Sequence, residues 1–185
     1  MLKVLLVNDT NKQVGRLRTA LIQAGCEVVE EVTSALMIPK RVAELKADVV
    51  IIDTESPSRD VLEQICVVTQ DEPRPIVMVS EDTQPAAIKA AIKAGVSAYV
   101  VEDIDVARLS AVLEVAQARF EQDQALMSQI RQAESKLNER KVVERAKGIL
   151  MQLRGMTESE AYHAMRKMAM DRNIRIVDVA QKLLA

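Results

Sequence analysis

No glycine or proline occurs between Gly95 and Gly148. After Ile104, nothing breaks a helix for about forty residues, and the chain must fold around that one element. Leu109, Leu113, Ala116, Phe120, Met127, Ile130 and Leu137 recur along it three and four apart, with Asp123 and Glu134 interrupting. Glu, Gln, Arg and Lys fill the remaining positions. The pattern is that of a coiled-coil seam with polar gaps over residues 106–136. Its simplest partner is a second copy of the chain, giving a homodimer. The alternative is a long amphipathic helix that folds back on the domain before it. In both cases the stripe needs cover, because a helix of this kind is marginal alone.

Residues 1–105 alternate short apolar runs with helical patterns. Leu2 to Val7 reads as a strand, and a helix with Val14, Leu17, Leu21 and Ile22 on one face stops at Gly25. Further strands are expected at Cys26 to Val32, Asp48 to Asp53, Pro75 to Ser80 and Ser97 to Val101, with helices at Ile38 to Leu45, Val61 to Thr69 and Pro85 to Ala94. β-branched runs without alternation belong to parallel strands buried on both faces. Strand and helix in turn predict a doubly wound, five-stranded parallel α/β sheet. Hydrophobic residues make up 49% of the chain but aromatics only 2%, so Leu, Ile, Val, Ala and the nine Met must build the core.

The same composition sets outer bounds. High apolar content with a net charge of −2 argues against disorder. No apolar run approaches the ~18 residues that a membrane helix needs, and the start MLKVLLVNDT turns polar too soon for a signal peptide. Cys26 and Cys66 form no ligand cluster and fit small buried hydrophobes in a reduced, cytoplasmic compartment. Charge is unevenly spread. Residues 1–105 hold 11 Lys/Arg against 17 Asp/Glu, whereas residues 137–185 hold 10 against 6. An acidic front and a basic tail suggest a regulatory domain joined to a unit that meets a polyanion.

In a doubly wound sheet, chemistry collects at the carboxyl ends of the strands. Those ends carry Asn8, Asp9, Asp53, Ser80 and Glu102. The arrangement resembles the receiver domain of bacterial response regulators. The resemblance implies a phosphoacceptor at Asp53 and, in a working receiver, Mg²⁺ held by hard oxygen ligands at Asp9 and Asp53. Two positions depart from the pattern. Asn8 stands where one acid of a pair would be, and Glu102 stands where a lysine would be. Repulsion from a nearby anion opposes acyl-phosphate formation by about 1–4 kcal/mol. A degenerate receiver with no cofactor is therefore expected, with Asp53 either a strand-end acid or a phosphoacceptor.

The tail, residues 137–185, continues through Val142, Val143, Ala146, Ile149, Leu150 and Leu153 to Gly155. Thr157 to Glu160 has the spacing of a capping box. A second helix carries Ala161, Ala164, Met165, Met168 and Ala169 inward, Asp171-Arg172-Asn173 breaks it, and Ile176 to Leu184 forms a third. Glu144-Arg145-Ala146-Lys147-Gly148-Ile149-Leu150-Met151 sets small residues beside cations, which suits close approach to an anionic polymer. It equally fits a core helix with a solvated polar face.

Three spaced blocks, ERAKGILM, TESEAYHAMRKMAMDRN and IVDVAQKLL, resemble the ANTAR domain, an RNA-binding antitermination module. Receiver, coiled coil and ANTAR in this order resemble the antiterminators of the NasT/AmiR type. The segments LLVNDT, IIDTESPSRDV, PRPIVMVS, GVSAYVVE and ARFEQDQAL point to the nitrate/nitrite-assimilation branch. The resemblance implies a leader RNA with tandem hairpins as ligand, and a NasS-like nitrate-sensing protein as controlling partner. It also implies RNA contact at Arg145, Ala146, Lys147, Gly148, Tyr162, Arg166, Lys167, Arg172 and Arg175. Cations would meet phosphates and Tyr162 would stack a base or pack between helices. Asn173 fits a helix cap better than a base reader, and His163 a surface helix position. Against this reading stand a DNA-binding response regulator and a scaffold without nucleic acid. No nucleophile-base pair or Gly-rich phosphate loop points to an enzyme.

Overall fold

The computed structural model describes residues 1–9, 15–101 and 105–185. Val14, expected on a helix face, and Glu102, expected at the strand-end pocket, lie outside the described residues. The chain divides into two compact units, Met1–Asp123 and Gln124–Ala185.

The first unit holds five parallel strands, β1 (Lys3–Asp9), β2 (Glu27–Val32), β3 (Val49–Thr54), β4 (Ile76–Ser80) and β5 (Ala98–Val101), in the order β2-β1-β3-β4-β5. Between them run α1 (Gly15–Gln23), α2 (Ile38–Leu45), α3 (Arg59–Asp71) and α4 (Pro85–Ala94). This is the doubly wound parallel sheet that the alternation predicts. The pleat sends Leu5, Val7, Val50, Ile52, Ile76 and Met78 to one face, under α2, α3 and α4. Val4, Leu6, Val49, Ile51, Val77 and Val79 go to the other. Ser58 caps α3 by accepting from the Val61 amide at 3.3 Å. Gly95 ends α4 at φ 115°, and a Cβ there would overlap the Thr69 hydroxyl of α3. Glycine thus allows both the left-handed turn and the close α3 to α4 packing.

On α1 the buried phase is Leu17, Ala20 and Leu21, while Ile22 is exposed. A helix covering a sheet spaces its contacts three and four apart, and Ile22 falls just past that arc.

The long element is a single helix, α5 (Val106–Arg154), of 49 residues. Its first turns belong to the first unit. Leu109, Leu113 and Ala116 are buried with α1 against Val4, Leu6, Val49 and Ile51. This corrects their assignment to an intermolecular seam. Among the described residues, α1 and α5 are the helices that cover this second face of the sheet, so these three residues close the core of their own domain. Farther on, Leu126, Met127, Ile130 and Leu137 stay 44–55% exposed, so the second unit leaves this stripe uncovered by its own described residues.

In the second unit the end of α5 packs with α6 (Glu158–Arg172) and α7 (Ile176–Leu184). Ala146, Leu150, Ala161, Met165, Ala169, Val179 and Ala180 form its core. Thr157 opens α6 with the expected capping box. Its hydroxyl accepts from the Glu160 amide, and the Glu160 carboxylate accepts from the Thr157 amide at 2.8 Å. Asn173 closes α6 in the left-handed conformation, φ 51°, as a cap. Among the described residues no helix is long and apolar enough to cross a membrane.

Candidate nucleic-acid interface

The nine tail residues expected at the interface fall into three environments. Ala146 is wholly buried and serves the helix-packing core. Gly148 is half-buried, and a Cβ there would meet nothing within 4 Å. Its small size is therefore not required by packing within the chain, although glycine inside a helix costs about 1 kcal/mol relative to alanine.

Arg145, Arg166, Lys167 and Arg172 are exposed, and among the described residues they have no ion pair. Tyr162 is 42% exposed and stands one turn before Arg166 on α6. Residues four apart share a helix face, so a ring and a guanidinium point the same way. Tyr162 meets His163 edge to face, with centroids 6.3 Å apart at 89°. His163 holds its Nδ1 2.7 Å from the Ser159 carbonyl, which suits an exposed helix residue.

Lys147 and Arg175 are different. Lys147 is only 6% exposed, and its Nζ donates to Glu144 Oε1 and Glu158 Oε1, both at 2.8 Å. Arg175 donates to Glu139 of α5 at 3.0 Å and to Asp178 of α7 at 3.3 Å. Sequence reasoning passed over Glu144, Glu158, Glu139 and Asp178. Opposite charges three apart at Glu144 and Lys147 were a legible signal. Glu158 lies across a turn and gave none.

The Lys147 clasp has a pH signature. Bonds to Glu144 first and Glu158 second raise the Lys147 pKa, and Lys147 lowers that of Glu158. A raised lysine contributes stability fully present below its usual value of about 10.4 and lost as pH rises through the folded one. A lowered glutamate contributes above its usual value of about 4.3 and loses it as pH falls through the folded one. Glu160, lowered by its bonds to Thr157, adds to the acid side. The tail should therefore melt at a constant temperature between about pH 5 and 10 and at lower temperature beyond either end. Tyr162 emission in a Tyr99→Phe protein reads this, since the chain has two Tyr and no Trp. Glu158→Gln should flatten the acid limb, and an unchanged limb would remove the clasp from the account.

In the first unit the parallel register brings Asn8 beside Asp53, Asp9 beside Thr54, and Thr54 beside Ser80. Four of the five expected pocket residues thus meet at one sheet end, and Glu102 is outside the described residues. Asn8 is buried and Asp9 exposed. Ser80 donates to the Glu55 carbonyl at 3.0 Å. Asp82, which sequence reasoning missed, ties this end together. Its Oδ2 accepts from Ser56 at 2.6 Å and its Oδ1 from the Gln84 amide at 2.9 Å. Its carbonyl accepts from the Tyr99 hydroxyl at 2.9 Å. The Ser56 hydroxyl, then the Gln84 amide, hold the Asp82 carboxyl below its usual pKa. For Mg²⁺ the pocket's carboxylates are Asp9 and Asp53. Among the described residues no group of three or more His, Cys, Asp or Glu is placed to hold a metal.

Residues 4–114 match the response regulator receiver domain, and residues 131–184 match the ANTAR domain. The transcriptional regulatory protein PdtaR of Mycobacterium tuberculosis is 31% identical over 182 residues, covering 98% of this chain and 89% of its own. The chain is a response regulator of the receiver–ANTAR family. A nitrate regulatory protein of Klebsiella oxytoca is 48% identical to this response regulator over 61 residues. That match covers 33% of the chain and 15% of the relative. The receiver fold is shared with the signal receiver domain of a modulated diguanylate cyclase from Desulfovibrio desulfuricans. There the TM-score is 0.57 at 17% identity, over 65% of this chain and 97% of that one.

Proposed function

We propose that this response regulator is a cytoplasmic, non-enzymatic antiterminator. Its tail binds a hairpin in a leader transcript and keeps a terminator from forming. The observation that carries this reading is the set of four exposed cations that have no ion pair among the described residues, Arg145, Arg166, Lys167 and Arg172, on the ANTAR unit with Tyr162 one turn from Arg166. Cations fit phosphates, and an exposed ring fits an unstacked base of a hairpin loop. The exposed stripe at Leu126, Met127, Ile130 and Leu137 supports pairing of two copies along that later part of α5 and not along the turn that carries Leu109 and Leu113, so that tandem hairpins bind with avidity. On this reading the receiver-like domain comprises residues 1–105 together with the first turns of α5 that complete its core, and 137–185 is the RNA-binding domain. The nitrate regulatory protein match supports a role in nitrate/nitrite assimilation, and a NasS-like sensor partner is what the resemblance of the receiver segments to that branch implies.

A DNA-binding reading is weaker. α7 has nine residues, and Val177, Val179 and Ala180 are buried, which leaves few side chains for a major groove. Affinity for the chain's own leader RNA should exceed that for duplex DNA of equal length at one fixed salt concentration. Preference for the duplex would overturn the proposal. Asp53→Ala should retain regulated antitermination if the receiver is degenerate. Loss of regulation in a folded protein would restore phosphorylation.

A further inference from the structure

We infer that Lys147 is a positioning residue for the RNA face, clamped by Glu144 and Glu158, and that it does not itself meet phosphate. The inference rests on the RNA-binding reading. Glu144 lies one turn before Lys147 on α5, and Glu158 is the first residue of α6. The clasp therefore fixes where α6 begins on α5. Tyr162 and Arg166 follow on that same helix.

The order of exposure decides what an approaching polyanion meets. The Lys147 side chain is 8% exposed, against 53% for Glu144 and 71% for Glu158. The carboxylates stand toward solvent and the ammonium behind them. Two carboxylates and one ammonium carry a net negative charge, so the clasp as a unit repels phosphate. Two of the three ammonium N–H donors are already spent on carboxylates. Arg145, two residues earlier, is exposed, has no ion pair among the described residues, and does not share these restraints.

The salt dependence of binding separates positioning from contact, because each phosphate contact on a single strand contributes about 0.7 to the slope of log K against log salt. The full chain is titrated with its leader RNA across KCl concentrations. Lys147→Met should weaken binding about tenfold while leaving the slope in place, whereas Arg145→Gln should lower the slope by about 0.7. Glu158→Gln supplies a sign test. A contacting Lys147 freed from one carboxylate would bind RNA more tightly. A positioning Lys147 that loses its anchor binds more weakly, despite one fewer negative charge.

A measurement without RNA keeps the inference testable on its own. In the Tyr99→Phe background, Lys147→Met and Glu158→Gln should change acrylamide quenching of Tyr162, and Arg145→Gln should not. A slope drop of about 0.7 in Lys147→Met, tighter binding by Glu158→Gln, or unchanged quenching in both clasp variants would overturn it. Failure of the unmodified chain to bind its leader while the quenching result holds would instead count against the RNA reading.

Discussion

Replacing Arg145, Arg166, Lys167 and Arg172 together by Gln should lower affinity for the leader RNA about a hundredfold or more. Hydrogen bonds to charged groups contribute about 1.5–3 kcal/mol each, so two good phosphate contacts among the four reach that figure. If all four meet phosphate, the salt slope should also fall by about 2.8, since each contact carries about 0.7. The fold should be untouched, because these side chains are exposed and, among the described residues, have no ion pair to lose. The measurement is a binding isotherm at several salt concentrations, with circular dichroism confirming helix content. Equal affinity at every salt would show that the four are solvated surface charges. Loss of affinity with an unchanged slope would show that they act through the fold and not through phosphate.

Much of this architecture is legible in the residues. The β-branched run from Val49 to Ile52 announces a strand buried on both faces, and the structure buries all four. Pro85 and Gly95 bracket α4 because one fits a first helical turn and the other a left-handed stop. Thr157 and Glu160 give away the start of α6 by spacing alone. Other features are not legible, for definite reasons. Leu109 and Ile130 share the three-and-four spacing, yet one covers a sheet and the other is exposed. Periodicity says that a face is apolar and is silent on what it faces. Lys147 and Arg145 sit two apart in a basic stretch and look alike as charges. Lys147 differs in being buried and held by two carboxylates, and although Glu144 lies one turn before it, Glu158 is eleven residues past it and beyond a turn. Asp82 joins its own loop, at Gln84, to Ser56 and Tyr99 from separate segments, and no local pattern marks those two longer links.

The two halves of the α5 stripe make opposite predictions for one kind of substitution. Leu109→Ala should destabilise the receiver by about 2–5 kcal/mol, the range for emptying a fully packed aliphatic site. Leu109 has no exposure and is clustered with Val4, Leu6, Leu21 and Val77. A domain of this size is stable by about 5–15 kcal/mol, so the loss removes a large share of its margin. The effect should not depend on protein concentration, because the lost contacts lie within one chain. Ile130→Ala empties nothing inside the chain, where the side chain is 44% exposed. Its cost should appear only in self-association, as a rise in the dimer dissociation constant with little change in urea unfolding of the receiver. Urea melts at two protein concentrations, with sedimentation at each, separate the two cases. If Leu109→Ala melted like the unmodified protein and Ile130→Ala lost its receiver, the stripe would run the other way along α5. If Ile130→Ala left self-association as it was, the exposed stretch from Leu126 to Leu137 would not be where two copies meet. Avidity for tandem hairpins would then need another source.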